Sequence, residues 1–163
     1  MGVSGSGKTT IGALLATRLQ LPFIDGDDLH SQANKQKMAT GIPLDDADRA
    51  PWLETIAAIA GTPGVVACSA LKRRYRDRLR EAVPDLKFVY LAGSPTLLRQ
   101  RLSARSHPFM PPELLESQLA TLEPPGSDEN ALTIEIELSP EAIVDGASRW
   151  LNTLQGFSSG EKV

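Results

Sequence analysis

Gly2-Val3-Ser4-Gly5-Ser6-Gly7-Lys8-Thr9, at the start of the chain, is the stretch that decides the fold. It fits G-x-x-x-x-G-K-[ST], the phosphate-binding P-loop. Glycines at these spacings let the backbone curl until successive N–H groups point inward at an anion, and the helix that follows presents its positive end to the same place. Lys8 adds a mobile charge at the β- and γ-phosphates, and the Thr9 hydroxyl suits Mg²⁺, which prefers oxygen ligands. Thr10 extends the same turn. A flexible Gly/Ser linker would not need Lys-Thr followed by Ile11, Leu14, Leu15 and Leu19 at helical spacing. The expected ligand is therefore a nucleoside triphosphate.

A loop of this kind normally follows a buried strand in the middle of a parallel sheet, and here only Met1 precedes it. Further along, apolar runs predict strands at Pro22–Asp25, Val65–Ser69, Lys87–Gly93 and Leu132–Leu138. Helical patterns lie between them at Thr9–Leu19, Pro51–Ala60, Lys72–Ala82, Pro95–Arg105, Pro111–Thr121 and Pro140–Leu154. Pro51, Pro95, Pro111 and Pro140 are read as helix starts, where a missing N–H is tolerated. The alternation predicts an α/β fold of the P-loop NTPase type. It has three layers, α/β/α, a mostly parallel sheet, and a first strand missing or truncated. One domain is expected over 1–155, with a Gly/Ser-rich tail over 156–163.

Composition narrows the function. The 163 residues are 41% apolar and 23% charged, with a net charge of −3, and the mean hydropathy is −0.16. An acidic balance argues against a nonspecific nucleic-acid surface, so an anionic ligand must meet local cations. The single cysteine, Cys68, excludes an intrachain disulfide framework. No apolar run approaches the length of a membrane span and no signal peptide is visible, which makes the cytoplasm the expected compartment.

A second constellation, Phe23-Ile24-Asp25-Gly26-Asp27-Asp28-Leu29-His30, places carboxylates just after a predicted strand. In an open parallel sheet that end faces the ligand crevice. One carboxylate can hold hydrated Mg²⁺ while its neighbour deprotonates an acceptor hydroxyl. Asp25 is expected in the first role and Asp27 in the second. A solvated turn is the alternative, since Asp and Gly also form turns.

These two motifs are joined by Asn34, Lys37-Met38, Gly41-Ile42-Pro43-Leu44-Asp45-Asp46, Asp48-Arg49, Pro51-Trp52-Leu53 and Cys68-Ser69-Ala70-Leu71-Lys72. With Tyr75-Arg76-Asp77, Leu79-Arg80, Phe109-Met110-Pro111-Pro112-Glu113-Leu114-Leu115, Ser117-Gln118 and Leu122-Glu123-Pro124-Pro125, the chain resembles the gluconokinase family of P-loop small-molecule kinases. The resemblance implies transfer of the ATP γ-phosphoryl group to the 6-hydroxyl of D-gluconate in carbohydrate acid metabolism, with Mg²⁺ as cofactor and a homodimer as a possible assembly. An anionic polyol needs a cation and several hydrogen-bonding groups. Arg49, Lys72 and Arg76 are the candidate cations, His30 and Asp27 the candidate hydroxyl partners; Arg80 reads as a surface charge and Trp52 as a packed aromatic. Arg101 and Arg105 share a helix face and resemble the lid of related small kinases, Arg101 over adenine and Arg105 reaching the phosphates.

Three features depart from the family pattern: Ser106-His107-Pro108-Phe109 where His-Phe is usual, a shortened stretch from Trp52 to Val65, and the absent first strand. The first of these puts any role for His107 in doubt. Two other functions fit the P-loop. One is a kinase for another small acceptor, shikimate-like or a nucleoside monophosphate, and the other is a nucleotide-binding module without catalysis.

Overall fold

The computed structural model describes residues 1–104 and 112–156. The P-loop leads into α1, Lys8–Leu19, which is followed by β1, Phe23–Asp25. A single 3₁₀ turn, Gly26–Leu29, then precedes α2, Gln32–Ala39, and α3, Asp46–Ala60. The rest of the chain alternates: β2 Val65–Ala67, α4 Arg73–Ala82, β3 Phe88–Ala92, α5 Pro95–Ser103, α6 Pro112–Thr121, β4 Ala131–Glu135 and α7 Pro140–Gly156.

All pairing is parallel. β1 runs beside β2 with Ile24 opposite Val66, and β3 beside β4 with Tyr90 opposite Thr133. The α/β class and the parallel strands agree with the sequence reading. α1 and α7 pack together on one side of the strands, and α3 and α4 on the other. Two buried clusters result. Val3, Ile11, Leu15, Leu91, Ile134 and Ile143 lie in one, and Trp52, Leu53, Ile56, Leu79 and Phe88 in the other.

The two strand pairs are not hydrogen-bonded to each other. Met1 and Gly2 stand between them. The Met1 nitrogen donates to the Val89 carbonyl, Leu91 N–H donates to the Met1 carbonyl at 3.0 Å, and Gly2 N–H donates to the Ser69 carbonyl at 3.2 Å. This short stretch carries the pairing expected of a central strand and orients the P-loop. Beyond it a cavity of about 970 Å³ opens, lined by Ile11, Leu15, Val66, Phe88, Val89 and Leu151.

Two local expectations are corrected. Pro51 lies inside α3, because a capping box starts that helix five residues earlier. Asp45 accepts from Asp48 N–H at 2.8 Å, and Asp48 accepts from Asp45 N–H at 3.1 Å, so two amides of the helix start are satisfied reciprocally. The polar helix α2 was not expected, since its sequence carries no apolar stripe. Ser31 caps it, and Asn34 Nδ2 ties it to the Asp48 carbonyl at 2.8 Å. The anticipated tail lies outside the described residues apart from Gly156, where α7 ends. No helix among the described residues is long and apolar enough to cross a membrane.

Candidate active site

The phosphate loop owes its shape to its backbone. Gly5 and Gly7 hold φ of +82° and +90°, a region open to glycine at little steric cost. Gly7 precedes α1 with no side-chain cap, so no side chain competes with an anion for the first-turn amides. A methyl group on Gly5 would meet the Leu98 carbonyl and Leu102 at 3.2 Å, and one on Gly7 would lie 4.0 Å from Arg101 Nη1. α5 therefore backs the loop, and Arg101 stands beside it with Nη2 donating to the Ile136 carbonyl at 2.6 Å. Val3 anchors the loop in the core. Its carbonyl accepts from Lys8 Nζ at 2.9 Å. The Ser6 hydroxyl is buried with no partner among the described residues. Ser4 N–H donates to Gln118 Oε1 at 2.7 Å, a support from α6 that no local pattern signals. Thr9 and Thr10 are exposed at the mouth of the loop.

The loop joins the acidic turn directly. Thr9 Oγ1 donates to Asp25 Oδ2 at 2.7 Å, and Asp25 Oδ1 accepts from Asp27 N–H at 3.0 Å. A hydroxyl and a carboxylate in contact supply the oxygen donors Mg²⁺ favours when the remaining positions are filled by water and phosphate. Among the described residues no cluster of three or more His, Cys, Asp or Glu suits a metal held by protein alone. Asp27 reaches solvent, yet the crowding of the cleft raises its pKa against the pull of Lys8, and the charge of Asp25 raises it further.

Across the turn, His30 is buried and stacked on Trp52, with ring centroids 4.4 Å apart. Burial, helped by the charges of Arg49 and Lys35, lowers its pKa to about 4. The imidazole is neutral near pH 7, and its Nδ1 is buried without a partner among the described residues. Arg49 lies close enough to influence both Asp27 and His30. Arg49 and Asp46 are three residues apart on α3, hence on neighbouring turns of one face. Lys72 Nζ reaches Asp46 at 3.0 Å. Asp46 also accepts from Arg74 and Tyr75, and these partners, Tyr75 first, hold its pKa down near 2.

One expectation fails here. Arg76, read as a cation for the acceptor, is fully buried. Its Nε donates to Glu129 Oε2 at 2.6 Å, its Nη2 to Glu129 Oε1 at 2.8 Å, and its Nη1 to the Ala70 and Leu71 carbonyls. Four hydrogen bonds commit the guanidinium to bracing the turn between β2 and α4, including Ala70 at φ +42°. Glu129 lies 53 residues from Arg76, which is why no local pattern discloses the pair. Cys68 is buried, and burial pushes its thiol up to about 11, leaving an inert core side chain. Arg105 and His107 lie outside the described residues.

A P-loop beside a strand-end carboxylate, on parallel strands flanked by helices, defines a P-loop kinase. The chain matches the shikimate kinase family over residues 4–144. It is 48% identical to the gluconokinase of Gluconobacter oxydans over 151 residues, which cover 89% of this chain and 85% of that one. It is 46% identical to the probable gluconokinase of Mus musculus over 162 residues, 85% of this chain and 88% of that one. The crystal structure of a gluconokinase from Sinorhizobium meliloti superposes with a TM-score of 0.90 at 43% identity, covering 99% of this chain and 95% of that one. The chain belongs to the gluconokinase family.

Proposed function

We propose that the protein transfers the γ-phosphoryl group of ATP to the 6-hydroxyl of D-gluconate, with Mg²⁺ as cofactor, giving 6-phospho-D-gluconate. The observation that carries this reading is the continuous link from Thr9 through Asp25 to the Asp27 backbone, which puts a phosphate loop and a candidate base in one cleft. The high identity to gluconokinases over most of the chain supplies the acceptor.

In this reading the amides of the P-loop and Lys8 bind the triphosphate, while Arg101 lies beside adenine and Arg105 is assigned to the phosphates. Thr9 and Asp25 would hold Mg²⁺, which would supply positive charge to offset that of the triphosphate. Asp27 accepts the proton of the 6-hydroxyl as that oxygen attacks. Crowding of its carboxyl strengthens it as a base. Arg49 takes the gluconate carboxylate. No hydrogen bond or ion pair engages its side chain among the described residues, which leaves its donors for an anion. Lys72 adds a second charge next to it, and His30 bonds a hydroxyl as a neutral imidazole.

A coupled assay of ADP release against gluconate, shikimate, ribose and nucleoside monophosphates tests the proposal. Release that saturates with gluconate is expected. Release driven by shikimate or a nucleotide instead would reassign the acceptor, and tight ATP binding with no transfer to any of them would make the chain a binding module.

A further inference from the structure

Gly26 links Asp25, the carboxylate assigned to the metal, to Asp27, assigned as the base, and it is clamped on three sides. Its carbonyl accepts from Trp52 Nε1 at 2.7 Å, a buried bond spanning 26 residues. A methyl group at Gly26 would lie 2.6 Å from the Ala67 carbonyl and 2.8 Å from Ile56 Cδ1. β2 and α3 therefore press on the turn while the indole N–H holds it. The same indole carries His30 on its face, the two rings 12° from parallel. Trp52 itself is 2% exposed and embedded in the cluster with Ile56 and Leu79.

We propose that Trp52 is a positioning residue for phosphoryl transfer, setting Asp27 through the Gly26 carbonyl and His30 through its ring face. The proposal rests on the reading of Asp27 as the base that faces the acceptor. Packing alone does not account for the contact pattern, since an apolar ring of similar size would fill the cluster equally well. Only an indole adds a donor that reaches Gly26. Both contacts, the bond to the Gly26 carbonyl and the stack under His30, fall on the Asp25–His30 motif and tie it to the Asp48–Leu53 motif that carries Trp52. A base must sit within hydrogen-bond reach of the proton it takes, so a small swing of the turn costs turnover while the backbone amides of the phosphate loop keep their own conformation.

The decisive comparison is Trp52→Phe against Ile56→Val in the full chain. Phe keeps a ring under His30 and removes the N–H; Val trims the Ile56 contact to Gly26 and keeps the hydrogen bond. Trp52→Phe is expected to lower kcat with gluconate about five- to tenfold, the scale of one lost hydrogen bond, and to leave ATP affinity by calorimetry within twofold. Amide exchange at Asp27 should quicken by a similar factor. Ile56→Val should lower the melting temperature and change neither kcat nor that exchange. The proposal is overturned if Trp52→Phe leaves Asp27 exchange unaltered, or if both variants lose kcat in proportion to their lost stability. Absence of gluconate-dependent ADP release in the unsubstituted protein would sink the functional reading by itself, and the exchange comparison would still decide the role of Trp52.

Discussion

The two sides of the cleft are built by different means. The phosphate side is made by backbone: glycines at φ values other residues avoid, the start of α1, and a loop whose spacing alone specifies the ligand class. The acceptor side is made by side chains that reach across the fold, such as Trp52 to Gly26 and Lys72 to Asp46, and it is braced from the interior by Arg76 on Glu129. A backbone site can lose one side chain and still fold. A site assembled from long-range side-chain pairs depends on its supports, so damage there should appear first as lost stability.

The largest expected effect therefore falls on Glu129→Ala, a position away from the cleft. It strands the Arg76 charge in the interior, a change that typically costs about 3–5 kcal/mol. At about 2–4 °C per kcal/mol for a domain of this size, the melting temperature should drop by roughly 6–20 °C. The exposed pair of Arg18 and Asp145, 2.5 Å apart, offers the contrast. Asp145→Ala should cost no more than about 1 kcal/mol. Similar melting temperatures for the two variants would show that Arg76 is not the brace its contacts indicate.

Lys8→Ala comes next and should fail in the opposite manner. The side chain reaches back to the Val3 carbonyl across the loop, and its charge neutralises the group being transferred. Loss of one such stabilising group usually costs about 10²–10³ in kcat. The melting temperature should stay within a few degrees. If thermal melting fell as steeply as turnover, the loop would depend on Lys8 for its fold as well as for its charge.

These contrasts explain what could be read along the chain. The P-loop, α1, α5 and the strands from β1 to β4 each carry a pattern complete within a dozen residues, and all were legible. Arg76 was misread because four-residue spacing on α4 says which residues share a face and nothing about which face is buried. Its partner Glu129 sits in a turn with no motif of its own. The start of α3 was missed because Pro51 resembles a first-turn proline, whereas the reciprocal bonds of Asp45 and Asp48 set the start earlier. Trp52 was read correctly as a packed aromatic, but its bond to Gly26 depends on how α3 packs on the 3₁₀ turn and β2.

Asp27→Asn tests where the two sides meet. Removing the base while keeping the shape of the side chain should lower kcat by about 10² and leave ATP affinity within a few-fold. Asp25 and Thr9 would remain paired. Should Asp25→Asn produce that pattern and Asp27→Asn prove mild, the two carboxylates would exchange roles, and the boundary between phosphate side and acceptor side would move by two residues.

The last effect is confined to the acceptor side and appears only with pH. His30 is held neutral in the fold with its pKa lowered to about 4 from an ordinary 6.5. Between those values the unfolded chain binds a proton at this position and the folded protein does not, so stability falls as pH drops from 6.5 toward 4 and is insensitive to His30 above that window. Carboxylates such as Glu129, whose pKa is lowered by Arg76, also lose stabilisation on acidification, which obscures a single curve. The difference between the parent and His30→Gln removes those shared contributions. Gln cannot titrate, so the parent's stability relative to the variant should decline steadily through the window when urea midpoints are compared at successive pH values. A constant difference would mean that His30 takes up its proton as readily in the folded protein as in the unfolded chain. The stack on Trp52 would then be open enough for water to reach both rings, and the acceptor side would be less tightly closed than its contacts indicate.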